Sequence, residues 1–212
     1  MRLVNQLVKI GPALRQDLGE WVSNHRMPFA AVIAAAVALG GNQLVASAQT
    51  SAALAPRTAC RGQSAVMAPA AVQLRAMRCL INWARTHGGR GRVRDNAELD
   101  RSAAMRAADI RRCQDFSHTP CGQSFTDVFT TVHYFTGAVS VGENLAWGQG
   151  RLGSARTTMA NWLASPGHRQ ILYAPQWRDL GVARVHGSLF GRANVTVWVA
   201  QFGRRPGLLP GP

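Results

Sequence analysis

One carboxylate in this sequence has no inexpensive explanation. After residue 48 the chain contains two glutamates, Glu98 and Glu143. Glu98 lies in DNAELD, where an acid in the first turn of a helix complements the helix dipole. Glu143 lies in VGENLAWG, between Val141 and Leu145 with Trp147 close behind, so it is expected to be partly buried on a strand or turn. A buried carboxylate is tolerable beside an imidazole that donates to it or a cation that it faces. Such a pairing is also how an imidazole is prepared to hold a metal or accept a proton. A glutamate hydrogen-bonded to backbone amides would equally survive there, as a structural residue.

Four cysteines, Cys60, Cys79, Cys113 and Cys121, allow three disulfide connectivities. Pairing neighbours gives Cys60 with Cys79 and Cys113 with Cys121, and the second loop encloses His118. A zinc site from Cys113, His118 and Cys121 lacks a fourth close ligand, and thiols of exported proteins are oxidised.

Export is read from the N-terminus. A basic segment with Arg2, Lys9, Arg15 and Arg26 precedes the apolar run Phe29 to Gly41, and Ala46, Ser47 and Ala48 then form an A-x-A cleavage pattern. The run is shorter than the ~20 residues of a membrane span. Residues 1–48 are therefore read as a signal peptide and Gln49 as the mature N-terminus, with an uncleaved anchor as the alternative. The formal net charge is +14; it falls to +12 without the leader, which holds three Arg and the only lysine, Lys9, against Asp17 and Glu20. Such a surface could bind anionic polymers through arginine. The arginines are scattered rather than blocked, however, which suits a lysine-to-arginine drift without any partner, and nothing points to a specific nucleic acid.

Residues 49–67 are Ala-, Ser-, Thr- and Gln-rich without periodicity and read as a linker tied down at Cys60. Residues 68–203 form one domain, and 204–212 a flexible tail. Val72, Ala76, Cys79, Leu80, Trp83 and Ala84 recur at helical spacing up to His87, before Gly88 and Gly89. A second, Ala-rich helix spans about Asn96 to Arg112, its faces marked by Leu99, Ala103, Arg106 and Ile110, and FSH follows it. Ser124 is read as the cap of FTDVFTTV. VSVGENLAWG is a strand, SARTTMANWLAS a helix capped by Ser154, and SPGHR a turn. DLGVARVHG and NVTVWVAQFG form a hairpin burying Val195, Val197 and Val199 or the opposite set. This order of elements gives an α+β sandwich with a small antiparallel sheet.

Taken in order, FSH, GENLAW, WLASPGHR and WVAQFG resemble the CAP superfamily. These SCP-domain proteins include cysteine-rich secretory proteins, insect antigen 5 and plant pathogenesis-related type-1 proteins. The resemblance runs from about Leu74 to Gly203 and is nearest to the compact bacterial branch. It implies an α/β/α sandwich whose cleft is lined by two histidines and two acids. His118 matches the first histidine, Glu143 the glutamate of the GEN motif and His168 the second histidine. The second acid is missing, because the family's Trp-Tyr-x-Glu reads Trp162, Leu163, Ala164, Ser165 here. Glu143 is expected to pair with His118, His168 or both. His87, His133 and His186 have ordinary helix-end or turn positions.

The resemblance implies a secreted, monomeric binding domain. Its cleft would take zinc weakly on His118 and His168, with Glu143 as third ligand or as the acceptor orienting one ring, beside a small lipid-like or cell-wall ligand. Two other readings stand next to it. One is a metal- or Glu-dependent hydrolase of peptides or esters, for which neither HExxH nor GxSxG is present and no catalytic residue is assigned. The other is a polyanion binder, marked by steep salt dependence.

Overall fold

The computed structural model describes residues 53–135 and 139–205, together with the backbone of a strand at Arg2–Ile10. Strands β1 (Arg2–Ile10), β2 (Arg94–Asp95), β3 (Val139–Gln149), β4 (Asp179–Leu189) and β5 (Arg192–Arg204) lie in the order β1-β3-β5-β4-β2. All pairs are antiparallel except β2 with β4, which is parallel, so the sheet is mixed at one edge. The stretch from Gly88 to Asp95 thus ends in a two-residue strand. β1 belongs to the segment read as a leader; without it the sheet has four strands and β3 becomes an edge. The apolar run Phe29 to Gly41, the cleavage pattern at Ala46 to Ala48 and the tail beyond Arg205 fall outside the described residues.

Helices cover both faces. On one lie α1 (Ala70–His87), α4 (Ala155–Ala164) and α5 (Pro166–Leu172); on the other, α2 (Ala97–Cys113) and α3 (Asp127–Thr131). This arrangement buries β5 on both sides. Val195, Val197 and Val199 meet α2, while Trp198, Ala200 and Phe202 join the cluster under α1 and α4. The alternating set expected to face solvent is therefore buried as well, as a sheet covered on both faces requires.

α2 begins where Asn96 accepts the Leu99 amide at 2.9 Å. It lies so close to β4 that a Cβ on Gly181 would stand 2.2 Å from the Leu99 backbone, so only glycine fits. α4 starts at the expected cap, Ser154 accepting from the Thr157 amide at 3.2 Å. Three expectations are corrected. SPGHR opens a seven-residue helix rather than a turn, with Pro166 at its first position. α3 begins at Asp127, whose carboxylate accepts the Ser124 amide at 2.8 Å, so Ser124 does not cap it. The segment before Pro69 is fastened at more than Cys60: Ala55 is buried, and Arg156 donates to the Ala55 carbonyl at 2.7 Å and from its amide to the Gln63 carbonyl at 2.7 Å.

Both disulfides form as the neighbour pairing requires, Cys60 with Cys79 and Cys113 with Cys121. Among the described residues no helix is long and apolar enough to cross a membrane.

Candidate functional site

Strand alternation on β3 sends Val141, Glu143 and Leu145 toward α2 and α3, and Asn144 and Ala146 toward α1, α4 and α5. Glu143 is fully buried. Its Oε1 meets His118 Nδ1 at 2.7 Å, and its Oε2 accepts from Gln201 Nε2 at 2.8 Å. Gln201 is the β5 residue directly opposite Glu143, and its own Oε1 accepts the hydroxyl of Ser102 on α2. The fifth participant is Arg106, also fully buried, whose Nε stands 3.4 Å from Glu143 Oε2. That contact is an ion pair without hydrogen-bond geometry. Arg106 instead donates from Nη2 to the Phe125 carbonyl at 2.6 Å and lies over the Phe125 ring at 5.7 Å, while its Nε and Nη1 are buried without a hydrogen-bond partner.

His118 reaches this carboxylate because the chain turns sharply after α2. Gln114 adopts the left-handed conformation (φ 53°) at the helix C-terminus, and the disulfide from Cys113 to Cys121 closes the loop that carries the histidine. The ring stands edge-on to Phe125, with centroids 6.0 Å apart. With Nδ1 committed to Glu143, its Nε2 is buried and makes no hydrogen bond. A carboxylate on one ring nitrogen fixes the tautomer and leaves the other nitrogen's lone pair for a ligand.

His168 sits on α5, at the other face of β3. Its carbonyl accepts from Asn144 Nδ2 at 3.2 Å, and its Nδ1 lies 2.7 Å from the Ser165 hydroxyl. The group in contact with that imidazole is thus a hydroxyl. Of the expected trio, then, His118 and Glu143 touch, and His168 is fastened to the next residue of the same strand. Among the described residues no group of three or more His, Cys, Asp or Glu side chains is gathered closely enough to hold a metal ion. The donor set fits a metal in part: one imidazole is oriented by a carboxylate and has a bare buried nitrogen, whereas both oxygens of Glu143 are already occupied.

His87 and His186 have local roles. His87 stacks on Trp83 with centroids 4.0 Å apart, and His186 Nδ1 lies 3.1 Å from Thr196 Oγ1. Glu98 pairs with Arg205. Arg106 and Gln201 were not singled out as site residues. The signal for Arg106 was its place seven residues after Leu99 on the stripe with Ala103 and Ile110, where a charge needs a counter-charge.

The profile of the cysteine-rich secretory protein family, CAP, matches residues 79–202. The chain belongs to the CAP family. Among solved structures, the CAP domain here is similar to an extracellular SCP-domain protein of Bacillus anthracis, with 20% identity and a TM-score of 0.51 over 63% of this chain and 40% of that one. It is also similar to an outer surface protein of Borrelia burgdorferi, with 18% identity and a TM-score of 0.54 over 66% of this chain and 97% of that one. At these identities the likeness concerns the fold, and the chain spans less than half of the Bacillus protein. No curated protein matches the chain.

Proposed function

We propose that this CAP domain is an exported binding module whose cleft presents His118 Nε2, and with it His168, to a weakly held divalent metal such as zinc and to a small lipid-like or cell-wall ligand. The observation that carries the reading is the buried contact of Glu143 with His118 Nδ1, which leaves Nε2 bare. The two neighbouring structures come from an extracellular and an outer surface protein, which agrees with export read from the N-terminal segment. Glu143 acts as the acceptor that orients the ring rather than as a third ligand, since His118, Gln201 and Arg106 already surround it. A metal held there would supply a Lewis acid to an oxygen of the bound molecule. Two imidazoles fall short of the four ligands of a closed structural site, so affinity is modest.

The hydrolase reading draws on the same pair, because a carboxylate-oriented imidazole is also a general base. It lacks a nucleophile in contact: Ser117 Oγ accepts the Thr119 amide at 3.2 Å. Calorimetry with zinc, on protein purified without nickel, tests the proposal. His118→Ala and His168→Ala each abolish uptake with the fold intact, and Glu143→Gln weakens it less. Unchanged uptake in the double histidine variant would move the metal elsewhere and leave Glu143 structural.

A further inference from the structure

The two edges of the sheet are finished differently. β2 covers only the first two residues of β4, and beyond them the outer edge of β4 is guarded. Arg184 stands on that strand, Asp100 Oδ1 accepts the Val182 amide at 2.9 Å, and a bulge breaks the register between Gly187 and Leu189. Charges and bulges of this kind keep an edge from pairing with another chain. β3 has none of these guards. It contains no Lys, Arg or Pro, and its register against β5 runs from Ser140 to Gln149 without a shift. Its one charge, Glu143, is buried and already paired with His118 and Arg106. What closes this edge, among the described residues, is β1, antiparallel and in unbroken register from Arg2 opposite Trp147 to Ile10 opposite Val139.

We propose that the outer edge of β3 is a peptide-binding site that takes an extended aliphatic segment as an added antiparallel strand, and that β1 is its occupant within the chain. The chemistry of the occupant is that of RLVNQLVKI, in which Leu3, Val4, Leu7, Val8 and Ile10 surround two central amides, Asn5 and Gln6. The register sets Gln6 opposite Glu143 and Asn5 opposite Asn144, the residues that hold His118 and the His168 carbonyl. A strand added here therefore crosses the candidate site at its centre. In strand addition, main-chain hydrogen bonds supply affinity and alternate side chains supply selectivity. The proposal is independent of any metal. It uses only the reading of residues 1–48 as a leader, whose loss frees the edge for a peptide from another chain.

The test is fluorescence anisotropy with a labelled synthetic peptide of residues 2–10. It is titrated with the full chain and with the full chain carrying Asn5→Pro and Gln6→Pro. Adjacent prolines remove whichever of the two amides is directed at β3, and so release β1. The released variant is expected to bind the peptide, and the parent at least about tenfold more weakly, because its own strand competes. If the proline variant does not fold, Val4→Gly with Val8→Gly in the full chain weakens the same strand. Two further peptides are N-methylated on Leu3, Asn5 and Leu7 or on Val4, Gln6 and Val8. Successive amides of a strand point to opposite sides, so one of these is expected to bind like the unmodified peptide and the other not at all. The proposal is overturned by absence of binding to the released variants, by equal binding to parent and variant, or by equal binding of the two methylated peptides. Dimerisation of a released variant that excludes the peptide would assign the edge to a second copy and overturn it as well.

Discussion

Among the described residues two arginines are fully buried, one in each helical layer, and they are treated differently. Arg85, on α1, gives Nε to the Gly91 carbonyl at 2.9 Å and Nη1 to the carbonyls of Leu172 and Ala174 at 2.6 and 3.2 Å. Among the described residues it forms no ion pair with a carboxylate, and burial, with Arg90 and Arg178 adding to it, pushes its pKa down to about 10. Arg106, on α2, has one carbonyl, one carboxylate at 3.4 Å and two nitrogens without partners. Arg85 ties the turn after α1 to the end of α5 through Nε and Nη1. In Arg106 those same two nitrogens have no hydrogen-bond partner, although it lies beside the one fully buried acid among the described residues. The hydrogen bonding of Nε and Nη1 thus separates the structural cation from the one at the site.

The largest expected effect lies in the structural half. Arg85→Met strips three carbonyls of their donor, that of Leu172 in a buried contact, and is expected to cost about 3 kcal/mol, since a buried group left unpaired costs about 1–3 kcal/mol and the two half-buried ones add less. Zinc uptake per folded molecule should not change. Denaturant unfolding checks the first part, and a loss below about 1 kcal/mol would break the contrast. Arg106→Gln should cost less, about 2 kcal/mol, because Glu143 keeps His118 and Gln201 as donors.

The disulfides sharpen the same division. Cys60 to Cys79 spans a separation of 19 residues at α1, and its removal by paired serines should cost about 3.3 kcal/mol without altering zinc uptake. Cys113 to Cys121, with a separation of 8, should cost less, about 2.6 kcal/mol, yet weaken uptake because it holds the His118 loop. Equal uptake in both paired variants would detach the loop from the site. The smallest effect is expected at Tyr134, whose hydroxyl donates to Asp179 at 2.9 Å. Burial first, and Asp179 next, raise its pKa above the ordinary tyrosine range. Tyr134→Phe should cost about 1 kcal/mol and leave zinc uptake untouched, measured by thermal unfolding alongside calorimetry.

Much of the scaffold was legible in the sequence because its signals are local. Helical spacing located α1 and α2 to within a residue or two, Ser154 announced α4, and short separations chose the disulfide pairs. The cost of burying Glu143 anticipated a histidine partner. α5 was missed because seven residues opening with Pro166 and Gly167 carry the composition of a turn. Gln201 was missed for a different reason: its place beside Glu143 depends on the register of β3 against β5, which no spacing within either strand reveals. Arg106 lay on the buried stripe of α2 in plain view, but its partner is contributed from a strand far along the chain.

The central claim is that Glu143 holds His118 with Nδ1 protonated and Nε2 bare. Nitrogen NMR of the histidine side chains in metal-free protein tests it directly. The account predicts that the His118 proton resides on Nδ1, hydrogen-bonded to Glu143, and that Glu143→Gln disturbs this signal. A proton on Nε2 with Nδ1 bare would contradict it.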